Sequence, residues 1–249
     1  TYLAHGVNVE VYLKQAALRQ TTTLALMDGL LEEVESGATA SKLTTAYPQY
    51  MLRNSRNVRE YIRLRRLEQR RASRLKVSTT HINVRPAEGH STLASIAIAA
   101  WLRTNIRQKR SFKRAQLWVH GKAGVGKTSF VMWLEKEFEL EVYWMPTVES
   151  FYDEYEDGIY DLIVLDEFRG QKAITELNLW LQGAPMSVRK KGSQGLRRKN
   201  LPFIILSNFE PGECYSKCSP SQLAPLHARL ECVEVEAPLR FESYESDEE

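Results

Sequence analysis

The segment GKAGVGKT, residues 121–128, limits what this chain can fold into more than any other feature of its sequence. It fits the pattern G-x-x-x-x-G-K-[ST], in which glycines let backbone N–H groups curl around phosphate oxygens and a following helix adds its positive dipole end. The pattern requires a strand before the loop and a helix after it. Apolar Leu117, Trp118 and Val119 precede the loop, and a helical pattern follows it. The segment therefore predicts a phosphate-binding loop between a strand and a helix.

The residues of this loop have predicted roles. Lys127 would reach the β and γ phosphates of a nucleotide, and the hydroxyl of Thr128 would ligate Mg²⁺. The alternative is a glycine-rich turn that binds nothing. The predicted nucleotide-binding residues are Gly121, Lys122, Ala123, Gly124, Val125, Gly126, Lys127 and Thr128.

Short apolar strands alternate with amphipathic helices around the loop. Such alternation predicts an α/β fold with a mostly parallel sheet and helices on both faces. The predicted strands are residues 116–119, 141–144, 161–165, 203–206 and 231–235. The predicted helices of this part are residues 91–105, 127–138, 173–182 and 219–229.

The rest of the chain divides by composition. Apolar residues recur at helical spacing in 23–35, and a basic helical segment is predicted over 57–75, so 23–76 is predicted to be a small all-helical domain. Pro86 and Gly89 indicate a linker. The predicted divisions are an N-terminal segment at 1–22, the helical domain at 23–76, a linker at 77–90, the phosphate-loop domain at 91–238 and a disordered acidic tail at 239–249.

Polar residues end two of the predicted strands. Asp166 and Glu167 follow the apolar run at 162–165. Asp166 would hold Mg²⁺ through water, and Glu167 could polarise an attacking water. The alternative is a pair of solvated acids at a strand end. Asn208 follows the strand at 203–206 and could hydrogen-bond a γ phosphate or the water that attacks it. Alone, Ser207-Asn208 is only a turn signal.

Positive charge is clustered, although the net charge is only +3. Basic runs at 53–76, 103–114 and 189–199 are typical of local contacts with a polyanion. In the third run Gly192 and Gly195 suit the tip of a hairpin. Arg189, Lys190 and Lys191 could then grip a phosphate backbone. The alternative is a solvated loop, the usual fate of a charge run.

Composition excludes several classes. With 43% hydrophobic residues the chain is neither disordered nor a disulfide-rich miniprotein. The three cysteines cannot all pair, which favours a reducing compartment, and a zinc site at Cys214 and Cys218 lacks a second close pair. The longest apolar run, at 93–102, is half of the ~20 residues that a membrane helix needs. A secreted or membrane protein is not expected.

The order of these motifs resembles a known family. A phosphate loop, a strand with Asp166-Glu167-Phe168, a Pro-x-x-Val-x-x-Lys-Gly hairpin at 185–192 and a strand with Ser207-Asn208 are similar to the superfamily 3 helicase domain. The resemblance is greatest to the replication-associated (Rep) proteins of circular single-stranded DNA viruses and related plasmids. FYDEY at 151–155 resembles the family's Trp-Trp-Asp-Gly-Tyr.

The resemblance implies an AAA+-like P-loop NTPase core with ATP and Mg²⁺ as cofactors. Lys127 and Thr128 match the nucleotide-binding pair, Asp166 and Glu167 the paired acids, and Asn208 the sensor. Lys191 matches the hairpin lysine that contacts single-stranded DNA.

Arg229, within Leu226–Leu230, matches the arginine finger, which acts on the neighbouring subunit of a ring, usually a hexamer. The helical domain matches the family's oligomerisation segment. The implied function is an ATP-driven translocase on single-stranded DNA in rolling-circle replication, in the host nucleus if the protein is viral.

Two departures from the family narrow this expectation. Glu167 replaces the usual second Asp, which keeps the carboxylate. No His-x-His pair and no Tyr-x-x-Lys motif occurs, so no nicking activity is expected, and a chain that starts at Thr1 is expected to be the helicase part of a longer initiator. Two alternatives stay open: the same motor acting on RNA, as in helicases of positive-strand RNA viruses, and a ring-forming ATPase switch that acts on protein partners.

Overall fold

A computed structural model of the protein describes residues 25–77 and 82–244. It divides the chain into two compact units, with the boundary between Ser73 and Arg74. The predicted N-terminal segment at 1–22 lies outside the described residues. None of the helices in the described residues is both long and apolar enough to cross a membrane.

The described part of the first unit, from residue 25 onward, contains helices and no strands, as the sequence predicted. Helix α1 covers residues 25–35, α2 covers Ala40–Ala46 and α3 covers Pro48–Val77. Helix α3 begins at Pro48 rather than near residue 57, because proline is well tolerated at the first position of a helix. The three helices enclose a small apolar core formed by Leu30, Val34, Leu43, Met51, Val58 and Ile62.

The second unit contains the sheet. Its strands are β1 Val84–Pro86, β2 Gln116–Gly121, β3 Val142–Trp144, β4 Leu162–Phe168, β5 Met186–Lys190, β6 Ser193–Arg197, β7 Phe203–Ser207, β8 Leu230–Val235 and β9 Phe241–Ser243. Its helices are α4 Leu93–Asn105, α5 Lys127–Glu137, α6 Ile174–Leu181, α7 Pro211–Cys214 and α8 Pro220–His227. Five strands form one parallel sheet in the order β3-β4-β7-β2-β8, which confirms all five predicted strands.

Both faces of the sheet are covered. Successive residues of a strand point to opposite faces, so Leu117 and Val119 join a core with Phe130 of α5, while Trp118 joins a second core with Trp180 of α6. The central strands are therefore buried on both sides, as expected for a parallel sheet between two helical layers.

A strand pair lies where the sequence predicted a linker and a disordered tail. Strand β1 pairs antiparallel with β9, and Arg85 Nε donates to Glu242 Oε1 at 2.8 Å. Phe241 is buried against Phe130 of α5. The prediction was wrong for these residues, because three-residue strands show no period and Phe241 finds its apolar partner far away in the chain. Residues 78–81 and 245–249 lie outside the described residues.

The predicted basic hairpin is present as the antiparallel pair β5–β6, with Lys191 and Gly192 at the tip. Gly192 has φ 73°, a conformation that favours glycine. Gly195, predicted at the tip, lies within β6 opposite Val188. A Cβ atom at Gly195 would lie 2.9 Å from Lys190 Cε, so this glycine makes room for the Lys190 side chain.

Candidate active site

The carboxyl ends of β2, β4 and β7 meet at one edge of the sheet and form a cleft of about 190 Å³. Parallel α/β sheets bind ligands at this edge. The cleft brings together the phosphate loop, the two acids near the carboxyl end of β4 and the Ser-Asn turn at the end of β7. Its lining residues are Ala123, Gly124, Gly126, Lys127, Thr128, Ser129, Asp166, Glu167, Leu206, Ser207 and Asn208.

Close backbone approach explains the glycines of the loop. A Cβ atom at Gly121 would lie 2.1 Å from the carbonyl oxygen of Val235 on β8, and Gly121 has φ 146°. Gly126 caps α5 in the left-handed conformation, with φ 86°. Any other residue would therefore clash or be strained at both ends of the loop.

Lys127, the first residue of α5, connects the loop to the end of β7. Its Nζ donates to Gly121 O at 2.7 Å, to Lys122 O at 2.9 Å and to Asn208 Oδ1 at 2.9 Å. Partial burial lowers the pKa of Lys127, and the carboxylates of Glu167 and Asp166 oppose this shift. The ammonium thus lies within the loop, held by neutral oxygens that a phosphate could replace.

Thr128 and Asp166 provide a pair of oxygen donors suited to magnesium. Thr128 Oγ1 donates to Asp166 Oδ2 at 2.9 Å, and Asp166 Oδ1 accepts from the backbone N–H of Glu167 at 2.8 Å. In residues 25–77 and 82–244 no group of three His, Cys, Asp or Glu side chains could hold a metal by itself. Proteins usually bind Mg²⁺ through one or two oxygen ligands together with substrate phosphates, and Thr128 and Asp166 can provide two such oxygens.

Glu167 lies at an irregularity of β4. The ladder with β7 shifts register between Leu165 and Phe168, and Glu167 has φ 51°, which is uncommon for a residue other than glycine. Its side chain is 69% exposed, and its Oε2 lies 3.5 Å from an Arg169 nitrogen. The irregular backbone turns Glu167 out of the ladder to the rim of the cleft, where water has access.

Ser207 fixes the turn that carries Asn208. No role for Ser207 was predicted from the sequence. Its buried hydroxyl donates to Phe168 O at 2.7 Å and accepts from Phe209 N at 2.9 Å. The hydroxyl therefore ties the ends of β4 and β7 together and orients Asn208 toward Lys127. The Ser-Asn pair after an apolar strand was the available signal.

The structure does not bring Arg229 to this cleft. The residue precedes β8, and its carbonyl accepts from Gln116 N at 2.8 Å at the amino end of β2. The loop begins at Gly121, the other end of β2, about 16 Å away at the ordinary rise of a strand. Arg229 therefore cannot reach the cleft of its own chain.

The hairpin cations differ in accessibility. Arg189 is exposed. Lys190 Nζ lies 2.6 Å from Glu156 Oε1, with its side chain only 13% exposed. Lys191 is 66% exposed at the tip, where its Nζ is 3.8 Å from Asp153 Oδ2 and its backbone N–H donates to Asp153 Oδ1 at 2.6 Å. Lys190 is therefore held in an ion pair, whereas Arg189 and Lys191 are exposed to solvent.

The acids that face the hairpin come from residues 151–157. From the sequence, this segment was noted only for its resemblance to a family motif, and no contact with the hairpin was predicted. That segment contains four acids, Asp153, Glu154, Glu156 and Asp157. Tyr152 N donates to Arg189 O at 2.8 Å, which fixes the segment against β5. The run of acids beside aromatic residues could have predicted an ion-pairing segment. The sequence does not indicate which basic run these acids contact.

The parallel sheet, the phosphate loop between β2 and α5 and the acid of β4 define the class of this protein: a P-loop NTPase core preceded by a helical unit. The predicted fold class is confirmed.

No family model matches this chain, and no curated protein matches it. Solved structures are similar to parts of the fold. A primosome component from Streptococcus pyogenes serotype M3 is 12% identical with a TM-score of 0.38, over 60% of this chain and 84% of that one. The NrS-1 C-terminal region is 20% identical with a TM-score of 0.37, over 53% of this chain and 31% of that one. JCV helicase is 14% identical with a TM-score of 0.30, over 51% of this chain and 36% of that one. At such identities and scores the likeness says nothing about activity, which has to come from the geometry of the site.

Proposed function

We propose that this protein is an ATP-hydrolysing motor of the superfamily 3 helicase type that moves single-stranded DNA. One observation carries the proposal: Lys127, Asn208 and the Thr128–Asp166 pair, which come from three separate motifs, meet in a single cleft. A chance glycine-rich turn would not place a lysine between a phosphate loop and a sensor asparagine.

In the proposed reaction the loop N–H groups and Lys127 neutralise phosphate charge as it develops. Thr128 and Asp166 would hold Mg²⁺, which supplies further charge neutralisation at the phosphates. Glu167, exposed at the rim, would orient the attacking water and accept its proton. Asn208 would exchange its contact with Lys127 for one with the γ phosphate or the water, and so report whether the phosphate is present.

The position of Arg229 supports a ring. Because Arg229 lies at the opposite edge of the sheet from its own cleft, it could complete only the site of a neighbouring subunit. We infer a homo-oligomer with ATP at the subunit boundaries, a hexamer by the family resemblance, with the helical unit contributing subunit contacts.

The exposed hairpin cations support a nucleic-acid partner. Backbone contacts alone do not distinguish DNA from RNA, so DNA, a rolling-circle Rep role and a nuclear location in a viral host follow from the motif resemblance. The RNA motor remains the nearest alternative. The pairing of Lys190 with Glu156 and of Lys191 with Asp153 instead favours the other alternative, an ATPase switch that moves no strand.

Substitution of Lys191 tests the strand-moving proposal. We expect single-stranded DNA to stimulate ATP turnover of the wild-type protein, and Lys191→Ala to lose most of that stimulation because the hairpin tip loses its exposed cation. The measurement is steady-state ATP hydrolysis with and without oligonucleotide, with single-stranded RNA as competitor. Stimulation that persists in the variant would reject the hairpin role. Wild-type turnover indifferent to both polymers would favour the protein switch, and RNA that matches DNA would favour the RNA motor.

Asp153 is expected to weaken strand binding, because its carboxylate competes with phosphate for Lys191. Asp153→Asn keeps a side-chain oxygen for the Lys191 N–H and removes the charge. Exposed ion pairs are worth about 0.2–1 kcal/mol, so we expect single-stranded DNA to bind about 1.4- to 5-fold more tightly at low salt. Fluorescence anisotropy measures this affinity. Glu154→Gln, an exposed acid of the same segment, is the matched control; an equal gain in the control, or none in Asp153→Asn, contradicts the specific competition.

A further inference from the structure

A second cavity lies at the amino-terminal edge of the sheet, opposite the nucleotide cleft. Its volume is about 460 Å³, and it is lined by residues that precede β2, β4 and β7. Arg107, Lys109 and Arg110 come from the basic run at 103–114, and Lys199 comes from the run at 189–199. The fold thus brings together two basic runs that are separated in the chain. The proposed ATP hydrolysis uses none of the four cations that these runs contribute to the cavity.

Direct hydrogen bonds fix the two runs together. Asn200 Nδ2, beside the base of the hairpin, donates to Ser111 O at 2.7 Å. Lys113 N donates to Gln182 O, at the end of α6, at 3.0 Å. The segment before β2 is therefore attached to both sides of the hairpin base, so the spacing of the cations does not depend on a freely moving loop.

Arg110 is a buried cation in the wall of this cavity. Only 9% of the residue is exposed. Its guanidinium donates to neutral acceptors, namely Gln116 Oε1 at 2.8 Å, the carbonyls of Arg114 and Ala115 at 3.1 and 3.2 Å, and Asn105 Oδ1. Its Nε has no hydrogen-bond partner among the described residues. Burial, and then the charge of Arg114, lower the pKa of Arg110 to about 10.

The charge of the cavity is positive. Within the described part of the chain, Asp161 is the one carboxylate that lines this cavity, and an Arg107 nitrogen lies 3.9 Å from its Oδ2. Arg110 and the exposed Lys109 and Lys199 remain as excess cations. A buried arginine bonded only to neutral groups attracts an anion more strongly than an exposed one, because the low local dielectric screens it less.

We infer that this cavity binds a phosphodiester of the strand that the hairpin contacts, so that the hairpin and the cavity at its base form one track for single-stranded nucleic acid. Lys109 and Lys199 contact the phosphate, and Arg110 adds its field from the wall. The inference rests on the proposed function and extends its partner contact from the hairpin tip to a second site in the same subunit.

The double variant Lys109→Ala/Lys199→Ala tests the track. Its expected effect is a loss of single-strand affinity and a flatter salt dependence. Each neutralised phosphate of a single strand contributes about −0.7 to the slope of log K against log salt, so loss of the one phosphate that this cavity holds reduces the slope by about 0.7. Anisotropy of a labelled oligothymidylate over a salt series gives both quantities. Lys136→Ala/Lys217→Ala removes two exposed lysines elsewhere and should leave both unchanged.

The outcomes separate this inference from the proposed function. If Lys109→Ala/Lys199→Ala has unchanged strand affinity and salt slope while Lys191→Ala loses its DNA stimulation of ATP turnover, the track is overturned. The proposed motor function is then still supported. A wild-type protein without salt-dependent strand affinity overturns both. The third outcome uses tripolyphosphate and the Lys127→Ala background, which lacks the P-loop lysine. If tripolyphosphate binding there requires Lys109 and Lys199 while strand affinity does not, the cavity binds a free polyphosphate and the track is overturned.

Discussion

Lys127→Ala is expected to lower steady-state ATP turnover at least about 100-fold, the usual cost of removing one charge-stabilising donor from a phosphoryl or acyl transfer site. The physical reason is the position of Nζ, which lies 2.9 Å from the loop carbonyl of Lys122 and 2.9 Å from Asn208 Oδ1. Among the residues that the structure describes, no other lysine or arginine lines the cleft. Alanine leaves the glycines and the helix N-terminus in place, so the loop can still form.

The measurement is phosphate release at saturating Mg·ATP, without nucleic acid. Lys136→Ala, an exposed lysine near the end of the same helix, is the matched control and should hydrolyse ATP at the wild-type rate. Near-normal turnover in Lys127→Ala would exclude this cleft as the hydrolysis site. In that case the cleft contacts of Asn208 and Asp166 would be structural, and the motor proposal would lack a site for ATP hydrolysis.

The sheet and the cleft were predictable because their signals are local. Each strand that carries a motif contains a short apolar run, and the motif comes soon after that run at the carboxyl end of the strand: the loop after Val119, the acids after Leu165 and Asn208 after Ser207. Parallel strands place their carboxyl ends at one edge, so the strand assignment alone brings the three motifs together. The apolar runs and the strand order do not predict the left-handed backbone of Glu167, because that conformation depends on the register of β4 against β7.

Partners that are distant in the chain were not predictable from composition. Arg197 belongs to a basic run and was expected near a phosphate backbone, yet it is buried over the ring of Trp180 and donates to Trp180 O at 2.7 Å. Lys190 finds Glu156, which is 34 residues away. A charge run predicts a surface only where no acid or aromatic ring packs against it, and the sequence does not record which segment will do so.

Arg229→Ala is expected to lower ATP turnover by about 10³-fold or more, the range in which an arginine finger acts. At the same time it should bind ATP as the wild-type protein does, because the residue lies about 16 Å from its own phosphate loop, one strand length away. Arg229→Lys should remain strongly impaired, since lysine keeps the charge but lacks the planar fork of donors. Phosphate release and equilibrium binding of a fluorescent ATP analogue give the two values. Unchanged turnover in Arg229→Ala would remove the residue from catalysis.

Mixing the two inactive variants tests whether Arg229 acts across a subunit boundary. In a mixed ring, a Lys127→Ala subunit still offers Arg229 to a neighbour, and an Arg229→Ala subunit still has an intact cleft. In a closed ring with random neighbours in equal amounts, roughly a quarter of the boundaries combine both intact parts, so turnover should recover toward a quarter of the wild-type rate. Action within one chain predicts no recovery at any ratio. Recovery that depends on protein concentration would in addition show that assembly itself creates the active site, because neither variant alone contains a complete one.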